Sequence, residues 1–599
     1  MRIWSSGIVL KRPPEDVSIY KESMKRIDPS SRRSIIKPVG LALAVLAVAS
    51  AIVLMAWQGR EMREPSELAP AHSLAYLEVP DVANVLERLS TTRWWHALAP
   101  RLGWPANLAG LGTLRHFLSF HGRALDDWMP LLRARLAVVV TGVDIADDGL
   151  TPHLAFLIQA PMASRELESW LDERLRSLAD EAYRRWREDT LHHAGRTIHE
   201  FQSIETPRRI IWCVDGRTAI IANRLDVMRR IIETSDRMNP SLADQPQFQR
   251  VRAQSPPSAL VFGYLTTSPI KEELQRTLWP SDRSLSPTRF IFKMLQFFFS
   301  TFDTTISYHV DIEDGLVVER TRLSWSRELR GELASLETMV PGPPATLRFI
   351  PRQCQSFTVL RLGDVERLSH EINVLLHRHL STVASVAFQE MLLRFKRHLG
   401  LDPQDTVVDA LANEIAVVEG PDSDLLFIAR VKRRAKLAAL IGKYLRHGGA
   451  SVRTLAIGTR TIYASTHRER LAFSLVDDML LMGPLDLVRW ALQARDSRAT
   501  LDADPMITRM IERYGRQAVE LSIRWDHSDE ERTLAHLIER LSLTLPTDDL
   551  DEIIRSLPPT LRTTSLTEDG LVSETRSPFG EFLSWLNVAL LSSSGSESR

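Results

Sequence analysis

Cysteine is nearly absent from this chain, with two in 599 residues. That excludes a disulfide-stapled scaffold and a cysteine-rich zinc protein. Net charge is absent as well, because Lys+Arg and Asp+Glu are both 75. No global field draws the chain to nucleic acid or to an acidic surface. Lysine is scarce, at ten residues, so arginine carries most of the positive charge. No Gly-x-Ser-x-Gly elbow occurs, which removes the usual hydrolase nucleophile turn. No phosphate loop occurs either: Gly442-Lys443 is followed by Tyr444, which has no hydroxyl placed for magnesium. No Gly-x-Gly-x-x-Gly follows a strand. What is present is ordinary for a folded protein, at 44% apolar and 25% charged residues. The length exceeds the roughly 250–300 residues at which one core stops growing.

One long apolar run exists. Val39 to Trp57 is 19 residues without a charge. As a helix it measures about 28 Å, close to the hydrocarbon thickness of a bilayer. Residues 1–37 hold nine basic residues against four acids, whereas residues 58–67 hold two against three. The positive-inside rule then puts the N-terminus in the cytoplasm and the bulk outside. A cleaved signal peptide would have a shorter n-region and a shorter apolar stretch. The expectation is a bacterial inner-membrane protein with a cytoplasmic tail (1–37), a single transmembrane anchor (38–58) and an extracytoplasmic, periplasmic body. The basic tail is also a contact for anionic headgroups.

The rest of the chain repeats itself. Arg196-Thr197-Ile198, Arg209–Ile221, Leu225-Asp226-Val227-Met228-Arg229 and Ser241–Pro246 are echoed in order. The echoes are Arg460-Thr461-Ile462, Arg470–Leu481, Leu485-Asp486-Leu487-Val488-Arg489 and Thr500–Pro505. Leu136–Gly142 matches Ile415–Gly420, and Glu313-Asp314-Gly315 matches Glu568-Asp569-Gly570. The order never changes, so an internal duplication is expected. Its copies are a first α+β repeat at 68–339 and a second at 345–591, with a disordered tail at 592–599. The stretch Val340-Pro341-Gly342-Pro343-Pro344 reads as the joint.

Each copy reads as a large antiparallel sheet with helices on one face. The first opens with a strand at 73–79, then strands at 136–142 and 153–160 joined through Asp148-Gly149. A helix at 163–188 follows, with Leu167, Leu171, Leu175, Leu178, Ala182 and Trp186 as its apolar stripe. A hairpin over Arg209–Ile221 turns at Asp215-Gly216. Helices near 225–236 and 244–253, a strand at 259–265 and a hairpin turning at Asp314-Gly315 complete it. Short turns force antiparallel pairing, and blocks of helices argue against a parallel Rossmann sheet.

The opening Pro70–Leu77 and the Ser241–Phe248 segment before the strand 259–265 resemble a family of bacterial envelope proteins of unknown function with one N-terminal membrane helix. The likeness covers about 70–325 and, more weakly, 345–580. It implies location and architecture and carries no catalytic residue.

Chemistry-bearing residues are few. His370, Glu371 and His377 lie on a helix, but metalloprotease histidines stand four apart and these stand seven apart. The spacing predicts a solvated helix face, with Val365, Leu368, Ile372, Leu375 and Leu376 on the buried side. His192, His193 and His199 are placed on one strand, with 193 and 199 sharing a face as exposed residues. Cys213 and Cys354 are expected to be two free, buried thiols. Lys432, Arg433, Arg434 and Lys436 form the solvated first turn of a helix. Phe290–Phe302 and Phe579–Leu591 are too short to span a bilayer and are expected to pack on the sheets. An apolar groove or a helix lying on the membrane is the other reading.

No catalytic, cofactor-binding or metal-binding residue emerges, and no cofactor is implied. The expectation is a non-enzymatic binding or scaffold protein of the envelope. Its partners are the membrane through residues 39–57, and envelope proteins or lipid, but not nucleic acid. A lipid or hydrophobic-ligand carrier is the alternative. An enzyme with dispersed carboxylates would be invisible at this level.

Overall fold

In the computed structural model the described residues are 63–110, 129–146, 149–270, 304–325, 342–379, 407–446, 451–465, 471–528 and 547–580, with a few isolated residues between. The apolar run 39–57, the tail 1–37, the aromatic segment 290–302 and residues 581–599 lie outside them. Among the described residues no helix is long and apolar enough to cross a membrane. Residues 64–599 form one compact unit.

Ten strands occupy the first half: β1 (Ala75–Val79), β2 (Arg135–Ala146), β3 (Gly149–Gln159), β4 (Trp186–His193), β5 (Arg196–Ser203), β6 (Arg209–Asp215), β7 (Thr218–Ala222), β8 (Val261–Thr266), β9 (Thr305–Glu313) and β10 (Leu316–Ser324). Ten more follow: β11 (Ser356–Arg361), β12 (Leu411–Glu419), β13 (Leu425–Val431), β14 (Val452–Ile457), β15 (Arg460–Ser465), β16 (Ala472–Val476), β17 (Met479–Gly483), β18 (Ala518–Arg524), β19 (Thr560–Thr567) and β20 (Gly570–Ser577). The pairing order is β4-β5-β6-β7-β3-β2-β1-β8-β9-β10 in the first half. In the second it is β14-β15-β16-β17-β13-β12-β11-β18-β19-β20, the same path strand for strand. Every pair is antiparallel, as two-residue turns require of hairpins such as β4–β5, β6–β7 and β9–β10. The β9–β10 turn has Asp314 and Gly315 both left-handed, at φ 54° and 75°, the backbone that an Asp-Gly pair accepts at least cost.

β10 pairs antiparallel with β20, so the twenty strands of the described residues make one sheet. The registers fix which residues correspond across this joint. Phe262 faces His309, which faces Arg320, while Leu521 faces Thr563, which faces Glu574. Arg320 and Glu574 are thus equivalent positions, and they sit directly opposite each other. Either side of them the pairing is reciprocal, with Val318 against Arg576 and Arg322 against Val572. That is the geometry of an isologous contact about a local two-fold axis normal to the sheet. The matched triplets Glu313-Asp314-Gly315 and Glu568-Asp569-Gly570 are one residue out of step with it, because Glu313 and Thr567 occupy the same place in their hairpins.

Helices cover both faces, not one. On the first face lie α1 (Pro65–Leu68), α5 (Leu225–Ser235) and α6 (Pro246–Ala253) in the first half. Their Leu68, Val227, Ile231 and Phe248 pack on Val139, Leu157, Ile211 and Ile220. In the second half α9 (Leu485–Asp496) and α10 (Pro505–Met510) do the same over Val359, Ala416, Ile428 and Leu481. On the second face α4 (Ser164–Ala182) lies over Phe201, Trp212 and Ala219, and α8 (Arg434–Arg446) lies over Phe473 and Leu480. The alternation that points Ile211 one way and Trp212 the other makes both faces of the outer strands apolar, so each needs its own cover. α2 (Val82–Leu89), α3 (Arg93–Leu98) and α11 (Thr547–Ser556) also lie on this face. Trp94, Trp95 and Leu98 from the first half share a core with Leu550, Ile553 and Phe579 from the second. α7 (Val365–His379) precedes β12.

The stripe of α4 is narrower than its spacing predicts. Leu167, Leu171, Leu175 and Ala179 are buried, stepping by four, while Leu178 is half exposed. The helix ends at Ala182, where Tyr183 turns extended, and Trp186 belongs to β4. Leu171→Ala should therefore cost about 2–5 kcal/mol in denaturant unfolding. Leu178→Ala should cost well under about 1 kcal/mol.

Candidate functional site

The first face turns polar where the two halves meet. A single row of opposed residues runs from Ala137 through Glu78, Phe262, His309, Arg320 and Glu574 to Thr563. At its centre four side chains close a ring. Arg320 donates to Glu574 and to Glu313, both at 2.6 Å, and Arg576 donates to the same two carboxylates at 2.6 and 2.8 Å. Two cations and two anions cancel, and each guanidinium is shared between both halves. Arg576 also lies over the Tyr514 ring at 4.4 Å, and Arg513 reaches Asp314 at 3.2 Å. Buried Glu78 is held by Arg252, Arg135 and the Tyr76 hydroxyl.

This arrangement suits cohesion better than proton transfer. Burial would raise the Glu313 carboxyl, but hydrogen bonds from Arg320 and Arg576 outweigh it and hold the group below its ordinary value. Among the described carboxyls with a resolved shift, only Glu531 moves upward, through burial and the Asp551 carboxylate beside it, away from this row. His309 is pushed down to about 4 by burial and then by the positive Arg320 and Arg322. It is therefore uncharged at neutral pH.

Among the described residues, the second face carries an apolar stripe in the first half that no helix covers. Phe156 faces Val138, which faces Leu77, which faces Gly263, which faces Tyr308. Phe156 is 45% exposed, Leu77 40% and neighbouring Leu265 38%. Gly263 leaves the stripe flat: a Cβ there would stand 3.1 Å from Tyr308 and 3.4 Å from Leu77. The same row in the second half reads Phe427, Val417, Thr358, Ser522 and Arg562. There the Thr358 hydroxyl donates to Ser522 at 3.0 Å. The sheet path is shared, but polar Thr358 and Ser522 interrupt the apolar row, in which Val417 and neighbouring Leu360 are each 38% exposed. No family model, curated protein or solved structure matches the chain.

The residues singled out in the sequence are scattered. A turn at Ala194-Gly195, both left-handed, folds the histidine segment into β4 and β5. His193 consequently faces Arg196 and meets Glu233 of α5, while His199 is on the other side, stacked on Trp212 at 4.2 Å. The two do not share a face; His192, opposite Thr197, shares that of His199. Spacing alone could not reveal the intervening turn. His370 is exposed on α7, and Glu371 pairs with Arg367; the side chain of His377 is outside the described set. Among the described residues no group of three or more His, Cys, Asp or Glu could hold a metal. Cys213 and Cys354 are free and buried, and burial pushes both thiols up to about 12. Arg433 and Lys436 converge on Asp409, and Lys432 on Glu366. The ring at the joint was missed because its members are far apart in sequence and none forms a motif.

Two outcomes follow for the joint. Arg576→Ala leaves the part-exposed Glu313 and Glu574 sharing Arg320 alone and should cost about 1 kcal/mol in equilibrium unfolding. His309 binds its proton more weakly in the folded chain, so its contribution to stability is full above 6.5 and declines as pH falls toward about 4. His309→Gln should flatten that part of the stability-versus-pH curve.

Proposed function

We propose that the chain is a non-enzymatic binding or scaffold protein of the bacterial envelope, tethered by residues 39–57 and carrying its body outside the cytoplasm. The observation that carries this reading is the exposed stripe Phe156–Val138–Leu77 with Leu265 beside it. Large apolar side chains held in a flat row by strand pairing offer a contact area that costs little to desolvate. The partner surface is that of another envelope protein. A duplicated ancestor accounts for the shared strand path. Three further correspondences support it. The bridge Pro70–Ser241 recurs as Pro351–Thr500. The pair Arg196–Asp236 has a near counterpart in Arg460–Asp496, each at 2.7 Å, with Asp496 one residue earlier relative to the cap. The left-handed Arg237 recurs as Arg498. In such a pair, equivalent positions would meet at the joint, and Arg320 opposite Glu574 is a self-contact made complementary once the copies were free to diverge.

A photo-crosslinking residue placed at 77 or 156 of the full chain in its own membrane should yield a discrete protein adduct, and one at 358 should not. Adducts to lipid alone would favour a hydrophobic-ligand carrier, and equal labelling from 358 would remove the stripe as the binding face.

A further inference from the structure

The C-terminal caps of α5 and α9 are built alike. In α5 the Arg237 amide donates to Thr234 O and the Met238 amide to Glu233 O, both at 2.9 Å. In α9 the Arg498 amide donates to Arg495 O at 3.2 Å and the Ala499 amide to Ala494 O at 2.8 Å. Arg237 and Arg498 take the left-handed conformation this cap needs, at φ 60° and 56°. The residue after it, Met238 or Ala499, normally carries an apolar contact back onto the helix. Met238 makes no use of that contact, because it is 70% exposed, more than any other large apolar side chain among the described residues. Ala499 shows that the cap closes without a long side chain there.

Met238 also stands at a particular place in the chain. The Ala71 amide donates to Pro240 O at 3.1 Å, Pro70 bridges Ser241, and the Leu242 amide donates to Ala69 O at 2.7 Å. The 237–240 tip is therefore laced to the first described segment, α1, which packs on α5 and on the turn 242–244. Residues 58–62 are all that separate Arg63, two residues before α1, from the end of the apolar run. Six peptide steps reach at most about 20 Å. The carboxylates near the tip are engaged, Asp236 by Arg196 and Glu233 by Asn239. Arg237 is exposed at the tip, and Arg229, about 12 Å back along α5, is exposed as well.

From these contacts we infer that the 237–240 tip is a membrane-contact element, with Met238 seated in the headgroup region of the bilayer and Arg237 and Arg229 beside lipid phosphates. An apolar side chain flanked by arginines is the composition that gains from an interface wet on one side and greasy on the other. The tip would orient the body, so that the stripe on the opposite face of the sheet is turned away from lipid. This inference rests on the anchor reading of residues 39–57.

The test uses the full chain in nanodiscs of phosphatidylcholine and phosphatidylglycerol, with an environment-sensitive dye on Met238→Cys or, as a remote control, on Leu425→Cys. Leu425 is 58% exposed, and the native thiols are buried and protonated, so neither competes for dye. Spin-labelled lipid should quench the dye at 238 several-fold more than at 425. If the chain enters the discs and the two sites quench equally, the tip does not touch the membrane and the inference fails while the anchor stands. If the chain does not enter the discs at all, the anchor reading fails and takes the inference with it.

Discussion

The antiparallel pairing of β10 with β20 is the constraint on which the rest of the body depends. Each half-sheet by itself would end in an unpaired strand, and an exposed edge is a standing invitation to aggregation. Joining the two edges satisfies both ladders at once. It also brings Arg320, Glu574, Arg576 and Glu313 within bonding distance, so that the joint is closed by backbone and by charge. The remaining edges are β4 and β14, at the far ends of the sheet. β4 carries Arg187, Glu188 and Asp189, exposed charges of the kind that blunt further pairing.

The joint adds a shared core on the second face to the cover that the outer strands need on both. The inner strands gain cover from their own half on the first face and from a shared core on the second. There α3 brings Trp94 and Trp95 against Phe579 and against Ile553 of α11. Arg101 ties the same elements together through Asp549 at 2.6 Å. The stripe through Leu77 and Phe156 lies on this second face and stays open. The corresponding row carries Thr358 and Ser522 at its middle, with Val417 and Leu360 exposed beside them, so the two halves present different surfaces.

Much of the fold was legible in the sequence because local rules governed it. Asp314-Gly315 could only be a tight turn, and the Arg209–Ala222 hairpin followed from two β-branched arms. The turn itself is Gly216-Arg217, one residue later than Asp215-Gly216. The matching order of segments anticipated a matching strand path. What was not legible depended on distant partners or on a turn without the usual residues. Ala194 at a positive φ concealed the β4–β5 hairpin and with it the facing of His193 and His199. The ring of Arg320, Glu313, Glu574 and Arg576 left no trace, since it exists only after β10 and β20 have met. The exposed stripe was equally hidden, because the alternation of β1 says which residues share a face but not whether a helix will cover it.

The most direct test of the account is disulfide trapping across the joint. Thr321 and Ser573 sit opposite each other on β10 and β20, at the separation of about 4.5–5.5 Å that a disulfide spans. In the full chain, Thr321→Cys with Ser573→Cys should cross-link under mild oxidation, while Thr321→Cys with Leu571→Cys, two residues out of register, should not. Equal cross-linking of the two pairs, or none from either, would contradict a single sheet joined in this register.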